Sequence, residues 1–71
     1  RVKHWEIIAA NLQNVGFRLG WLSAVDYEGR TIWVVEAHGY GMRFIVRADG
    51  ILTAFLELQR SIYELMVSLS V

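Results

Sequence analysis

The chain has 71 residues and a formal net charge of zero, which suits one small domain and disfavours non-specific attraction to nucleic acid or anionic lipid. It has no cysteine, and its two histidines, His4 and His38, are far apart, so we expect neither a disulfide nor a metal site. No apolar run reaches the length of a membrane span, about 18 residues, so we expect no membrane partner. The absence of cysteine and of a visible export signal favours a cytoplasmic protein, and the length favours one domain over residues 1–71.

The first predicted element is a helix over residues 2–15. Its apolar side chains recur at intervals of three and four, which is the spacing of one helix face. These side chains are Trp5, Ile8, Leu12 and Val15. Gly16 follows where a left-handed residue would end the helix, and Phe17 would then pack back on Leu12.

Three strands follow, over residues 18–26, 30–38 and 42–48, because these stretches contain β-branched and aromatic residues and are separated by turn sequences. The first turn is predicted as a three-residue loop over residues 27–29, closed by its glycine in the left-handed region. For the second turn, in the sequence HGYG, we expect residues 39–40 as the central pair.

These two turns fix which residues face each other across the strands. The first pairs Asp26 with Arg30 and the second pairs Glu36 with Arg43, so opposite charges meet in both hairpins. The same registers pair Trp21 with Val35, Val35 with Phe44 and Trp33 with Val46.

The face predicted to lie under the helices collects Trp21, Val25, Trp33, Val35, Phe44 and Val46. The opposite face collects Leu22, Ala24, Ile32, Val34 and Ile45, surrounded by Asp26, Arg30, Glu36, Arg43 and Arg47.

A second helix is predicted over residues 51–69, with Asp49 as its cap. One apolar stripe follows a four-three alternation and consists of Ile51, Phe55, Leu58, Ile62, Leu65 and Leu69. At about 1.5 Å per residue the helix is about 28 Å long, against about 23 Å for a strand of about seven residues. Its last turn therefore overhangs the sheet, and Leu65, Met66 and Leu69 need another cover.

The predicted order is α-β-β-β-α, an α+β domain in which a three-stranded antiparallel meander has two helices packed on one face. Double-stranded RNA-binding domains share this order, but they need basic residues at the start of the last helix, where this chain reads ILTAFLELQ. No nucleophile elbow, phosphate-binding glycine loop or paired carboxylates are evident. We therefore expect neither an enzyme nor a bound cofactor.

Four stretches of the chain carry a resemblance: WEIIAANL at residues 5–12, GRTIWVVEAH at residues 29–38, RFIVRAD at residues 43–49 and LTAFLELQ at residues 52–59. Together they resemble a family of small uncharacterised bacterial proteins. The resemblance implies a bacterial, cytoplasmic protein, and it carries no activity, cofactor or site to transfer. The chain departs from that family at the second turn, where GYGM is short and uncharged.

Composition points to self-association, because 55% of the residues are hydrophobic and only 20% are charged in so small a chain. We therefore predict a homo-oligomeric interaction module, most simply a homodimer. One candidate interface is the sheet face away from the helices, with Leu22, Ile32, Val34, Ile45, Glu36, Arg43 and Arg47. The other is the end of the second helix, with Leu65, Met66 and Leu69.

Two other functions stay open on the sequence alone. The arginine-bearing sheet face could bind nucleic acid, although the charge-matched acids Asp26 and Glu36 speak against a free cationic patch. Alternatively, a small apolar ligand could bind between the sheet and the helices, with Trp33 and Phe44 as walls.

Overall fold

A computed structural model describes residues 2–70 and contains two helices and three strands. In chain order the elements are α1 (His4–Asn14), β1 (Arg18–Val25), β2 (Thr31–Gly39), β3 (Met42–Ala48) and α2 (Ile51–Leu69). The strands form one antiparallel sheet in the order β1-β2-β3. Helix α1 packs on β1 and on α2, while α2 packs on β2 and β3. This α+β arrangement confirms the predicted meander with both helices against the sheet.

Helix α1 ends in the predicted glycine motif. Gly16 has a φ of 109°, and its N–H donates to the carbonyl of Gln13 over 3.0 Å. The N–H of Phe17 donates to the carbonyl of Leu12, also over 3.0 Å, which completes a Schellman motif. Val15 was predicted on the apolar stripe of this helix, but α1 ends at Asn14, and Val15 lies at its C-cap and is 56% exposed.

The first hairpin has the predicted register. The N–H of Asp26 donates to the carbonyl of Arg30 over 2.9 Å, and Gly29 closes the loop with a φ of 79°. Trp21 lies opposite Val35, as expected. A three-residue loop with glycine in the left-handed region therefore sets this half of the sheet.

The second turn differs from the prediction. Its two central residues are Tyr40 and Gly41, with φ of 56° and 76°, instead of Gly39 and Tyr40. Tyrosine rarely adopts a positive φ, but here its hydroxyl donates to the carbonyl of Val15 and its ring packs edge-on against Phe17 with centroids 5.3 Å apart. These tertiary contacts with the end of α1 hold the turn in this conformation.

The displaced turn moves β3 by two residues along β2. The observed pairs are Trp33 with Ala48, Val35 with Val46, Glu36 with Ile45 and His38 with Arg43. The predicted partners of Trp33, Val35 and Glu36 across this ladder were therefore wrong. Because side chains alternate with a period of two, a shift of two residues leaves every side chain on its predicted face.

The core lies between the helices and the last two strands. Its buried side chains are Ile8, Ala9, Leu12, Phe17, Val35, Ala37, Ala54, Phe55, Leu58 and Ile62. None of them belongs to β1, because only α1 lies over that strand. Val25 was predicted to face the core but is 70% exposed, and Trp21 is 41% exposed beside the rings of Trp5 and Phe55.

Helix α2 has the predicted bounds but not the predicted cap. Its N-cap is Gly50, and the side chain of Asp49 makes no capping bond, because a helix that begins at Ile51 has residue 50 at the cap position. Ile62 is the last buried side chain of α2, so the C-terminal turns extend beyond the core. Over residues 2–70, no helix combines the length and the hydropathy needed to cross a membrane.

Candidate interaction surface

The sheet face away from the helices, referred to below as the outer surface, brings all seven predicted sheet-face residues together. Its register rows run Arg18-His38-Arg43, Gly20-Glu36-Ile45, Leu22-Val34-Arg47 and Ala24-Ile32 across the strands. The first row contains two arginines and a histidine, and the last row is aliphatic. The outer surface therefore has a charged end and an apolar end.

The apolar part of the outer surface is open to water. Leu22 is 58% exposed and Ile45 is 54% exposed, whereas Ile32 and Val34 are half-buried between them. Leu22, Val34 and Ile45 line an open groove of about 390 Å³ beside Glu36. Exposed aliphatic side chains on adjacent strands form a continuous patch, which is uncommon on a monomer of this size.

At the charged end, one carboxylate contacts both an arginine and a histidine side chain. Glu36 accepts a hydrogen bond from Nε of Arg43 over 2.7 Å and contacts Nε2 of His38 at 3.1 Å. The hydrogen bond from Arg43, followed by that from His38, lowers the pKa of the Glu36 carboxyl below its usual range. The predicted pairing of Glu36 and Arg43 is thus confirmed as an ion pair, although the two residues lie diagonally and not directly opposite.

His38 and Arg18 were not among the predicted interface residues, yet both lie at this charged end. The signals for them are present in the sequence. His38 is two residues from Glu36 on the same strand and therefore shares its face. Arg18 follows from the first hairpin, whose register places it opposite His38.

Of the other arginines on or near the sheet, some form ion pairs with carboxylates and others do not. Arg30 forms ion pairs with Glu28 and, over 3.3 Å, with Asp26. The backbone N–H of Arg30 is the main reason that the pKa of the Asp26 carboxyl is lowered. Within the described part of the chain, Arg18 and Arg47 have no ion-pair partner. Arg47 therefore stands beside the apolar patch with its charge available to another molecule.

The predicted helix-end surface is also exposed. Leu65 is half-buried, Met66 is 41% exposed and Leu69 is 67% exposed. Leu65 and Leu69 continue the stripe whose earlier members, Phe55 and Leu58, are fully buried. The stripe therefore runs past the sheet that covers it.

Trp33 and Phe44, the predicted walls of a ligand site, are both partly buried and pack against the core. An open groove of about 480 Å³ lies elsewhere, near the charged end, and is lined by Gly16, Arg18, Gly20, Glu36 and His38 among others. This groove lies on the sheet and at the end of α1, and neither Trp33 nor Phe44 lines it.

No known protein-family model, curated protein or solved structure matches this chain. The resemblance to a bacterial family therefore stays a prediction, and function has to be inferred from the surfaces described above.

Proposed function

We propose that this protein is a homo-oligomeric interaction module whose outer surface binds the outer surface of a second copy. The observation that supports this proposal most directly is the solvent-accessible surface area of the chain. The chain exposes 5249 Å² at a mass of 8.2 kDa, whereas a folded monomer of that mass exposes about 4,500 Å². The excess of about 700 Å² is close to the area of about 800 Å² that each partner buries in a standard interface.

The shape of the chain agrees with this excess. Its radius of gyration is 12.8 Å, against about 11 Å for a compact domain of the same length. The molecule measures 43 × 30 × 17 Å, so it is thin in one direction. A second sheet packed on the outer surface would thicken the molecule and cover Leu22 and Ile45.

Charge favours a two-fold arrangement of this contact. In a two-fold symmetric dimer every contact occurs twice: if residue i of the first copy touches residue j of the second, then residue j of the first copy touches residue i of the second. Arg47 can then meet Glu36 or Asp26 of the other copy at the rim, and the reciprocal pair forms on the other side. Such rim pairs add specificity more than affinity, and the apolar patch supplies most of the driving force.

The test compares Ile45→Asp with Ile7→Asp by light scattering at micromolar concentration. Both isoleucines are about half exposed, at 54% and 48%, so neither change should unfold a single chain. We expect wild type and Ile7→Asp to have an even multiple of the chain mass and Ile45→Asp to have half the mass of wild type. A monomeric wild type would overturn the proposal, and nucleic-acid binding that falls steeply with salt would then become the favoured function.

The helix end is the alternative seam for the same function, because the buried stripe of α2 continues there without a cover. Leu65→Asp separates the two seams. If the outer surface holds the assembly, Leu65→Asp keeps the wild-type mass. Dissociation by Leu65→Asp together with an unchanged mass for Ile45→Asp would move the interface to the helix end.

A further inference from the structure

β1 lies at one edge of the sheet and, among residues 2–70, pairs only with β2. The N–H of Asp26 donates to the carbonyl of Arg30, and the carbonyl of Asp26 accepts from the N–H of Gly29, so both backbone groups of residue 26 point toward the β2 side of the hairpin. Hydrogen-bonded pairs alternate with non-hydrogen-bonded pairs along an antiparallel ladder. Even-numbered residues of β1 therefore direct their backbone groups toward β2, and odd-numbered residues direct theirs to the free edge. The odd-numbered residues are Leu19, Trp21, Ser23 and Val25.

After its first residue, Arg18, the free edge of β1 lacks the features that usually keep an edge strand unpaired. Natural edge strands are protected by charged side chains, proline or bulges. From Leu19 to Val25, β1 reads LGWLSAV, and its register with β2 is continuous. The opposite edge differs, because β3 carries Arg43 and Arg47 on either side of Ile45. Pairing two β3 strands about Ile45 would set these arginines against each other, which is destabilising.

β1 is also the strand that its own chain covers least. Trp21, Leu22 and Val25 are 41%, 58% and 70% exposed. Trp21 and Val25 belong to the helix-covered face, whereas Leu22 belongs to the outer surface. A neighbouring strand would therefore cover apolar side chains on both faces of β1.

We propose that β1 pairs in antiparallel orientation with β1 of a second copy, so that two sheets join into one continuous sheet of twice the width. The free N–H and C=O groups can meet only if odd-numbered residues lie opposite odd-numbered residues. Among such registers, the one centred on Leu22 sets Arg18 of each chain opposite the partner's Asp26.

The same register gives compatible neighbours at every position. Leu19 lies opposite the partner's Val25, Gly20 opposite the partner's Ala24, Trp21 opposite the partner's Ser23 and Leu22 opposite the partner's Leu22. The register centred on Trp21 instead sets Arg18 opposite the partner's Ala24 and leaves Asp26 outside the ladder. Charge complementarity therefore selects Leu22 as the residue on the two-fold axis.

This contact goes beyond the outer-surface contact proposed above, and neither requires the other. The axis of the β1 pair runs perpendicular to the sheet, whereas that of the outer-surface contact lies between two stacked sheets. Both axes can coexist in one four-chain assembly with closed symmetry. Joining two sheets along β1 would also double the area of outer surface that each stacked layer presents.

Cysteine cross-linking tests the register directly, since the chain has no native cysteine. In the proposed register, two copies of Leu22→Cys have Cα atoms about 4.5 Å apart, within the range of a disulfide. The control, Ala24→Cys, lies on the same face, but its two copies are more than about 13 Å apart. Stacked sheets are about 10 Å apart, so an outer-surface contact alone cannot link two copies of Leu22→Cys through a disulfide.

We expect Leu22→Cys to form a disulfide-linked dimer under mild oxidation at least about tenfold faster than Ala24→Cys. We expect the same result when both variants also carry Ile45→Asp, which removes the outer-surface contact but not the β1 pair. Equal rates would overturn the β1 pair, and faster linking of Ala24→Cys would overturn its register. Failure of the outer-surface proposal would be seen in a different measurement: the single variant Ile45→Asp would then keep the wild-type mass in light scattering.

A backbone test distinguishes strand pairing from contact through side chains. The N–H of Ser23 faces the free edge, so Ser23→Pro removes a hydrogen bond of the β1 pair and none of the β1–β2 ladder. We expect light scattering to show half the wild-type number of chains for Ser23→Pro and no change for Ser23→Ala. A folded Ser23→Pro variant with the wild-type mass would refute the pairing, with folding checked by circular dichroism.

Discussion

Gly16 and Gly39 allow the end of α1 to sit against the second turn. A Cβ on Gly16 would lie 2.7 Å from the hydroxyl oxygen of Tyr40, and a Cβ on Gly39 would lie 2.7 Å from Cδ1 of Phe17. Phe17 also packs edge-on against Tyr40 and Phe44. Two missing side chains therefore make room for one aromatic ring and one phenol hydroxyl, which connect the helix to the hairpin.

Gly16→Ala should lower the free energy of unfolding by about 1–3 kcal/mol, because alanine is strained at a φ of 109° and its methyl group meets Tyr40. The matched control is Gly20→Ala, since Gly20 lacks a positive φ and its Cβ would have only Glu36 within 4 Å. Urea unfolding measures both variants. Equal losses would show that the backbone of Gly16 is not the cause.

The pH dependence of stability should report the ion pairs of Glu36. Since its pKa in the folded chain is lowered from the usual 4.5, its contribution is present above that pH and is lost as the pH falls below it. We expect the urea midpoint of wild type to fall more than that of Glu36→Gln between about pH 6 and about pH 3. Asp26, whose pKa is also lowered, keeps some acid sensitivity in the variant. Parallel curves for the two proteins would contradict the assigned role.

Two predictions at single residues failed for reasons of local geometry. Val15 matched the apolar spacing of α1, but spacing alone does not locate the residue at which a helix ends. Asp49 is a good capping residue by type, yet Gly50 occupies the cap position. The sequence contains both competing signals, and the boundary of the helix decides between them.

At the scale of elements, α2 contributes four buried side chains to the core, more than any other element, and three of them lie on its apolar stripe. Phe55 and Leu58 are fully buried, and with Ala54 and Ile62 they cover β2 and β3. The stripe was predictable because its period is long and regular. The register of β3 was not, because it depended on whether Gly39 or Gly41 entered the turn. The hydroxyl of Tyr40 favours the second choice through Val15, a contact distant in sequence.

Leu58→Ala should cost about 2–5 kcal/mol of unfolding free energy, since it leaves a cavity under the sheet. Leu56→Ala, on the same helix at 44% exposure, should cost less than about 1 kcal/mol. Both are measured by denaturant unfolding at one protein concentration. Similar losses would mean that α2 is rotated relative to the orientation described here.

For the whole molecule, the sequence was sufficient for architecture and for the membership of each sheet face. Alternation along the strands carries that information even when the register is wrong. The exposure of the β1 side chains was less predictable, because the alternation placed Trp21 and Val25 on the face predicted to lie under the helices. Their exposure follows from the placement of α2 over β2 and β3, which no local pattern encodes.

Self-association should make thermal stability depend on concentration. Because an assembled state is favoured by mass action, the wild-type unfolding midpoint should rise by several degrees over about a hundredfold increase in protein. Ile45→Asp should show a smaller rise. Circular dichroism melts at two concentrations supply the measurement. A concentration-independent midpoint in wild type would indicate that single chains are the stable species.

The lack of buried side chains in β1 affects how readily a protease can cleave the chain at low concentration. β1 is hydrogen-bonded to a neighbouring strand on one side only, so we expect local unfolding to begin there, and proteases cut locally unfolded segments. A second copy paired with β1, as proposed above, would hold that edge closed, so the rate at which a protease cuts within β1 should fall as the protein concentration rises.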